Sequence, residues 1–288
     1  MRYSIITNPA SGHLRGSRKR EQLSRAQEIL QADLHGLETT SRQEFLACAR
    51  DLAGQCDVLV VAGGDGSLSD VVNAIDTRER PIAYIPLGSG NAMRHALRLR
   101  GSVAEVATRI KEGRIHDFDL IQCDEKRSAF MVSIGLEGVV IRKRDEYKAR
   151  GASGFKPYLM AFLVAYLKDY QGVKARIAVN GQAFETGSLL SLMIMKQPYY
   201  GYGLKVMPGA SLDDGKLHVR VLQTGLMSSL VGGVTSLTVG NRAGHYQTAE
   251  QVAVVLGKPL LMQADGDVAW EAKEFHFKVL PGALRMKA

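Results

Sequence analysis

The chain is expected to form two domains, an N-terminal α/β domain on a parallel sheet and a C-terminal antiparallel β-sandwich-like domain. Three observations lead there. A strand, a small-residue loop and a helix follow one another three times between Tyr3 and Leu97, an order that builds a parallel sheet with a ligand crevice at its strand ends. From about Phe118 short apolar strands take over, with the hairpin signal Asn180-Gly181 between two of them. At 288 residues the chain is long enough for two cores. The expected boundaries are 1–118 and 119–280, followed by a tail, 281–288, with the option of packing back on the first domain.

The first strand, Tyr3 to Thr7, ends in Asn8-Pro9-Ala10-Ser11-Gly12, and a helix is expected over Ser17 to Ala32. Asn8, Ser11 and Gly12 can offer donors to a phosphate; a plain Asn-Pro turn is the alternative. The basic cluster Arg15, Arg18, Lys19 and Arg20 reads as a solvated face. A second strand is expected near Gly36 to Thr40, then a helix to about Gln55 opened by a capping box of Ser41 and Glu44. Thr39 and Thr40 then stand at a strand end, as nucleotide contacts or as helix caps.

The chain is organised around Asp57 to Asn73, DVLVVAGGDGSLSDVVN. Its valine-rich run reads as a strand buried on both faces, and Ser67 to Ile75 has helical apolar spacing. Between them, Gly63-Gly64-Asp65-Gly66-Ser67 lets backbone amides approach a ligand, and the following helix adds its unpaired N–H groups and positive dipole end. That combination suits an anion. A carboxylate such as Asp65 repels a phosphate unless a divalent cation lies between them or the carboxylate takes a proton, and phosphoryl transfer uses both devices. A tight turn whose Asp caps the helix is the alternative. Pro81 to Pro86 forms the third such strand and leads through Leu87-Gly88-Ser89-Gly90-Asn91 into a helix from Ala92 to about Leu97. None of the three loops matches the P-loop or the dinucleotide fingerprint, and Gly201-Tyr202-Gly203 lacks a strand-to-helix context.

Taken together, Asn8 to Gly12, Gly63 to Ser67 and Pro86 to Asn91, in that order and spacing, resemble the diacylglycerol kinase-type catalytic domain, the family of diacylglycerol, sphingosine and ceramide kinases and their bacterial relatives. The resemblance continues in Phe118-Asp119-Leu120, Gly154 to Leu167, Ala210 to Leu217 and Ala264-Asp265-Gly266-Asp267. It implies an NAD kinase- and phosphofructokinase-like first domain and an ATP- and Mg²⁺-dependent kinase acting on a lipid hydroxyl in the interdomain cleft. On the matching positions, Asn8, Pro9, Ala10, Ser11, Gly12, one of Thr39 or Thr40, Gly64, Asp65, Gly66, Ser67, Leu68, Ser69, Asp70, Ser89 and Asn91 would surround the nucleotide. Asp214, with the carbonyls of Ser211 and Lys216, would hold a structural metal away from the phosphates; an ordinary Asp-Gly turn is the alternative. Asp65, Asp265 and Asp267 are the candidates for proton acceptor. Two departures stand out: Asp267 replaces the usual Glu, and Ala92 follows Asn91 where many bacterial members have Asp.

Past Phe118, strands are expected at Ala129 to Ile134, Lys174 to Val179, Ser188 to Met195, Leu217 to Leu222, Gln251 to Leu256 and Glu274 to Leu280, with a turn at Gly257-Lys258-Pro259. Asp119 reads as a hinge or a strand end. Pro157 to Tyr170 has helical composition and an apolar face, either packed on the sheet or lining an acyl-chain pocket. Arg142, Lys143, Arg144, Lys148 and Arg150 read as a mobile basic loop or a solvated linker.

Lys and Arg number 37 against 29 acidic residues, a formal charge of +8, which favours anionic partners without choosing among them. Basic residues are not interleaved with aromatic platforms, so no nucleic-acid role is expected. Cys48, Cys56 and Cys123 are too scattered for a disulfide framework or zinc, and the seven histidines lack paired ligand spacing. Met1-Arg2 leads straight into a strand and no apolar run reaches spanning length, so a cytoplasmic protein peripheral to a membrane is expected. The partner expected is a lipid substrate at a membrane surface, with no stable protein partner and a homodimer left open. Two other functions remain: an NAD kinase-like enzyme with a soluble substrate, and a nucleotide-binding regulator without turnover.

Overall fold

The structure, a computed structural model, describes residues 1–9, 16–151, 160–161, 164, 172–224, 235–236 and 238–288. The chain divides into two units, Met1–Asp119 with Pro281–Ala288, and Leu120–Leu280.

In the first unit β1 (Tyr3–Thr7), α1 (Gly16–Leu30), β2 (Asp33–His35), α2 (Arg42–Ala53), β3 (Val58–Gly63), α3 (Asp65–Val72), β4 (Ile82–Pro86), α4 (Ala92–Ala96) and α5 (Val103–Glu112) follow in order. β1 pairs in parallel with β2 and with β3, and β3 pairs in parallel with β4. Every residue of β3 is buried, as its unbroken apolar run requires. Leu23 and Ala26 of α1, Phe45 and Ala49 of α2 and Ala107 of α5 are fully buried. The chain leaves this unit within β5 (Ile115–Cys123) and returns within β13 (Asp267–Lys287). There Met286 pairs in parallel with Ile82, Gly282 N–H donates to Asp119 Oδ1 at 3.0 Å, and Thr77 Oγ1 donates to the Ala283 carbonyl at 2.6 Å. Asp119 is a buried residue inside β5 and not a strand end, and the division into units falls directly after it.

The second unit contains β6 (Arg127–Ala129), β7 (Met131–Gly135), α6 (Leu136–Ala149), β8 (Val173–Val179), β9 (Gln182–Met195), β10 (Leu217–Gln223), β11 (His245–Ala249) and β12 (Gln251–Ala264). Its pairings, β7 with β9, β8 with β9, β9 with β10, β10 with β11 and β12 with β7, β8 and β13, are antiparallel. Inward residues such as Ile177, Leu189, Leu192, Ile194, Val219 and Phe275 share one apolar core. Met131, Met193, Met195 and Met207 form a second cluster with Val206 and Ala210. Asn180 (φ 49°) and Gly181 (φ 84°) both adopt the left-handed geometry that a two-residue hairpin turn demands.

Several local expectations are corrected. Residues 36–40 are not a strand: β2 ends at His35, and Gly36 at φ 86° turns the chain. Ser41 caps α2, its side chain accepting Glu44 N–H at 3.2 Å, but the Glu44 carboxylate reaches Thr40 N–H at 2.8 Å, so the reciprocal half of the box serves the preceding residue. Residues 142–149 are helical, part of α6, because no Gly or Pro breaks the segment between Gly138 and Gly151. Gly257-Lys258-Pro259 does not end its strand; β12 continues through a register irregularity between Val255 and Leu260, where a proline costs no ladder bond. The expected helix Pro157 to Tyr170 falls almost wholly outside the described residues, as does Gly154.

Candidate active site

The parallel registers, Thr7 beside Ala62 and Gly63 beside Pro86, put the C-terminal ends of β1, β3 and β4 at one sheet edge. Three loops start there. Leu87 N–H donates to the Gly63 carbonyl at 2.8 Å. A Cβ built on Gly88 would lie 2.5 Å from Gly64 Cα and 2.7 Å from Asn91 Oδ1, so two glycine backbones touch where the loops meet. Ser89 is exposed in this loop, whereas Asn91 is buried at φ 44°, donating from Nδ2 to the Gly88 carbonyl at 2.6 Å and accepting the Tyr84 hydroxyl at 3.2 Å.

Asp65, the first residue of α3, uses both carboxylate oxygens on the start of α4. Oδ2 accepts Ala92 N–H at 2.8 Å and Oδ1 accepts Met93 N–H at 3.1 Å. It thus caps a helix, though not its own. Burial pushes its carboxyl up from the ordinary aspartate range, against the lowering pull of those two amides and of His95. At the departure Ala92, the side chain is buried and the N–H is held by Asp65.

The remaining nucleotide candidates differ in what they present. The backbone N–H groups of Asp65 to Ser67 open α3 and have no acceptor within it. Leu68 and Ser69 are fully buried, and Asp70 is turned to α2, where the Arg42 guanidinium grips both its oxygens. Thr39 Oγ1 donates to the Gly36 carbonyl at 2.7 Å and Thr40 Oγ1 to Glu44 at 3.0 Å. Asn8 and Pro9 follow β1, while Ala10, Ser11 and Gly12 lie outside the described residues. Lys19, counted in the sequence with a solvated cluster, is fully buried; Nζ donates to the Asn8 carbonyl at 2.5 Å and the Pro9 carbonyl at 3.1 Å, and burial lowers its pKa. It ties α1 to the first loop.

In the second unit, Asp265 and Asp267 part company. Asp265 is buried at φ 52°, and its Oδ1 accepts Phe130 N–H at 2.9 Å and Met131 N–H at 3.0 Å. Gly266 is held from both sides, its N–H donating to Gln263 Oε1 at 3.0 Å and its carbonyl accepting from Arg144 Nη1 at 2.9 Å. The buried Arg144 side chain, from the run read as a loop or linker, is thus a brace for this turn. Asp267 is exposed at the start of β13. On α6, burial pushes the Glu137 carboxyl up to about 7, although Ser191 Oγ donates to it at 2.7 Å.

Of the residues expected around a metal, Ser211, Asp214 and Lys216, the last two hold a different cation. Lys196 Nζ donates to Asp214 Oδ1 at 2.6 Å and to the Lys216 carbonyl at 2.6 Å, and the Lys196 side chain has no exposed surface. Asp214 Oδ2 lies 2.8 Å from His218 Nε2, and Ser211 Oγ donates to Asp213 Oδ1 at 2.6 Å. Burial would raise the Asp214 carboxyl, but the hydrogen bond and charge of Lys196, with His218 and the Lys216 amide, hold it below its usual value. Among the described residues, no helix is long and apolar enough to cross a membrane.

Residues 2–123 match the diacylglycerol kinase catalytic domain, and residues 130–288 match the YegS C-terminal NAD kinase beta sandwich-like domain. The chain is similar to a diacylglycerol kinase of Staphylococcus saprophyticus, 25% identical over 281 residues that cover 92% of this chain and 88% of the relative. It is also similar to a YegS-like protein of Stenotrophomonas maltophilia, named as a probable lipid kinase, 28% identical over 250 residues covering 80% and 78%. Its fold is like that of a diacylglycerol kinase of Bacillus anthracis str. Sterne, with a TM-score of 0.78 at 18% identity over 99% of this chain and 96% of that one. An NAD kinase of Archaeoglobus fulgidus in complex with ATP is a more distant likeness, with a TM-score of 0.54 at 12% identity over 100% and 94%. With both domains matched in order, the chain belongs to the family that joins a diacylglycerol kinase catalytic domain to a YegS-type second domain, and it is a phosphotransferase.

Proposed function

We propose that this chain transfers the γ-phosphoryl group of ATP to the hydroxyl of a lipid such as diacylglycerol or a related lipid alcohol. The observation that carries the reading is the convergence of the Asn8-Pro9, Gly64–Ser67 and Gly88–Asn91 loops at the C-terminal edge of the parallel strands. Backbone N–H groups opening α3 and the exposed Ser89 are the groups assigned to the phosphates. Asp65 positions two of the loops by locking the start of α4 to the start of α3. A Mg²⁺ ion accompanying ATP would supply charge neutralisation at the phosphates during transfer. The lipid is presented by the second unit, with the protein peripheral to a membrane surface.

The proton acceptor is assigned to Asp267, whose carboxylate is exposed, and Asp265 to anchoring the strand at Phe130 and Met131. The two roles separate in a simple pair of variants. In Asp265→Asn, the side-chain oxygen can still accept both amides, and asparagine tolerates positive φ, so Tm and most turnover should survive. Asp267→Asn should leave Tm unchanged and lower kcat by about 10²–10⁴-fold. The reverse pattern, an inactive Asp265→Asn of normal Tm beside an active Asp267→Asn, would reassign the base.

The overall reading is tested by offering the protein Mg-ATP with mixed micelles of diacylglycerol and a sphingoid base, and in parallel with NAD, and identifying products by mass. A lipid phosphomonoester is expected. Formation of NADP, or ATP binding with no acceptor phosphorylated, would replace the reading by one of its two alternatives.

A further inference from the structure

We propose that the ammonium of Lys196, and not a divalent cation, is the permanent positive charge of the Ser211–Lys216 turn. Three hard-oxygen groups in this short segment, the Asp214 carboxylate and the carbonyls of Ser211 and Lys216, have the chemistry of a Mg²⁺ or Ca²⁺ site, and the family resemblance leads one to expect an ion there. The arrangement of the side chains says otherwise. Lys196, directly after β9, extends a fully buried side chain to Asp214 Oδ1 and to the Lys216 carbonyl, both at 2.6 Å. Two of the three expected ligand groups are therefore directed at one ammonium. The Lys196 backbone N–H donates to the Phe130 carbonyl at 2.8 Å, which fixes the root of the side chain on the strand framework.

The second carboxylate oxygen is also taken. His218 Nε2 lies 2.8 Å from Asp214 Oδ2, and His218 Nδ1 lies 2.8 Å from the Tyr246 hydroxyl. The Ser211 N–H also donates to His218 Nε2, at 3.3 Å, so the ring ties Asp214, Ser211 and Tyr246 together. The Asp214 carboxylate is thus occupied on both oxygens, by one ammonium and one imidazole nitrogen. A divalent ion admitted here would have to displace the ammonium from two oxygens or sit beside it, and like charges at contact distance in a half-buried setting repel strongly. The consequence is a second unit whose folding does not depend on metal, leaving ATP as the reason this enzyme needs Mg²⁺.

The test needs neither nucleotide nor lipid, so its outcome is independent of the kinase reading. Thermal unfolding of the full chain is recorded in excess EDTA, in millimolar Mg²⁺ and in millimolar Ca²⁺, and Mn²⁺ binding is followed by electron paramagnetic resonance. For the wild type, Tm should be the same in all three solutions to within about 1 °C, with no bound Mn²⁺ that Asp214→Asn removes. Lys196→Asn, which withdraws the ammonium, should lower Tm in EDTA by roughly 5–15 °C. It should regain part of that loss in Ca²⁺ or Mg²⁺, and a further Asp214→Asn substitution should abolish the recovery. A wild-type Tm that falls in EDTA and returns with Mg²⁺ or Ca²⁺ would overturn the proposal, as would Mn²⁺ bound by the wild type and lost in Asp214→Asn. A Lys196→Asn protein as stable as wild type would do the same. Should Lys196→Asn fail to fold, the wild-type measurements alone decide.

Discussion

Asp65→Asn is expected to lose lipid phosphorylation by about 10²-fold or more and to unfold several degrees lower than wild type. The Asp65 carboxylate accepts two neighbouring backbone N–H groups, one on each oxygen. An asparagine has one acceptor, so its NH₂ group must face one of those donors. A buried N–H left without a partner costs about 1–3 kcal/mol, and the start of α4 loses its connection to α3. A displacement of about 1 Å in groups that position a substrate can cost roughly 10²-fold in rate. A pure proton acceptor would behave differently, with kcat falling while Tm and the KM for ATP stay put. Asp65→Asn should therefore raise the KM for ATP as well as lower kcat. Normal Tm and KM with a collapsed kcat would assign the proton to Asp65 after all.

Gly88→Ala is expected to be as damaging through sterics alone. The added methyl would meet Gly64 Cα at 2.5 Å and Asn91 Oδ1 at 2.7 Å, where carbon atoms normally approach to about 3.5–4.0 Å. The two loops must therefore part by about 1 Å, against Leu87 N–H bonded to the Gly63 carbonyl and Asn91 bonded to the Gly88 carbonyl. Overpacking of this kind costs about 1–3 kcal/mol, and the amides proposed to bind phosphate move with the backbone. ATP affinity should fall by roughly 10²-fold, read by calorimetry on the purified variant. Gly187→Ala, where an added Cβ meets nothing within 4 Å, is the control and should leave both affinity and Tm unchanged. Wild-type ATP binding by Gly88→Ala would remove the loop contact from the binding account.

The loops after β3 and β4 and the hairpin were legible in the sequence because their signals are local. Asn180-Gly181 needs only its own two residues to declare a turn with positive φ, and both have it. Gly64 and Gly88 are ordinary loop glycines until the parallel strands bring them together; the sequence shows that each is small, not that they touch. Lys19 lies in a basic cluster with Arg18 and Arg20, whose composition is that of a solvated face, and the rotation of α1 selects which of these residues is buried. Arg144 was hidden in the same way, within a basic run that α6 turns into a helix. Lys196 carries no motif, since Met-Lys-Gln-Pro is unremarkable and Asp214 follows 18 residues later across a strand pairing. One omission had a readable signal: Ser102 and Glu105 make a full capping box for α5, with a Ser-x-x-Glu spacing as plain as the one at Ser41.

Transfer of phosphate from ATP to lipid tests the account most directly. The protein is incubated with γ-labelled ATP, Mg²⁺ and a total lipid extract in mixed micelles, with Asp65→Asn in parallel, and label is followed into the organic phase. The account predicts a labelled lipid from the wild type and at most about one-hundredth of that signal from Asp65→Asn, with the mass of the product naming the acceptor. An organic phase free of label, from wild-type protein that binds ATP, would contradict it.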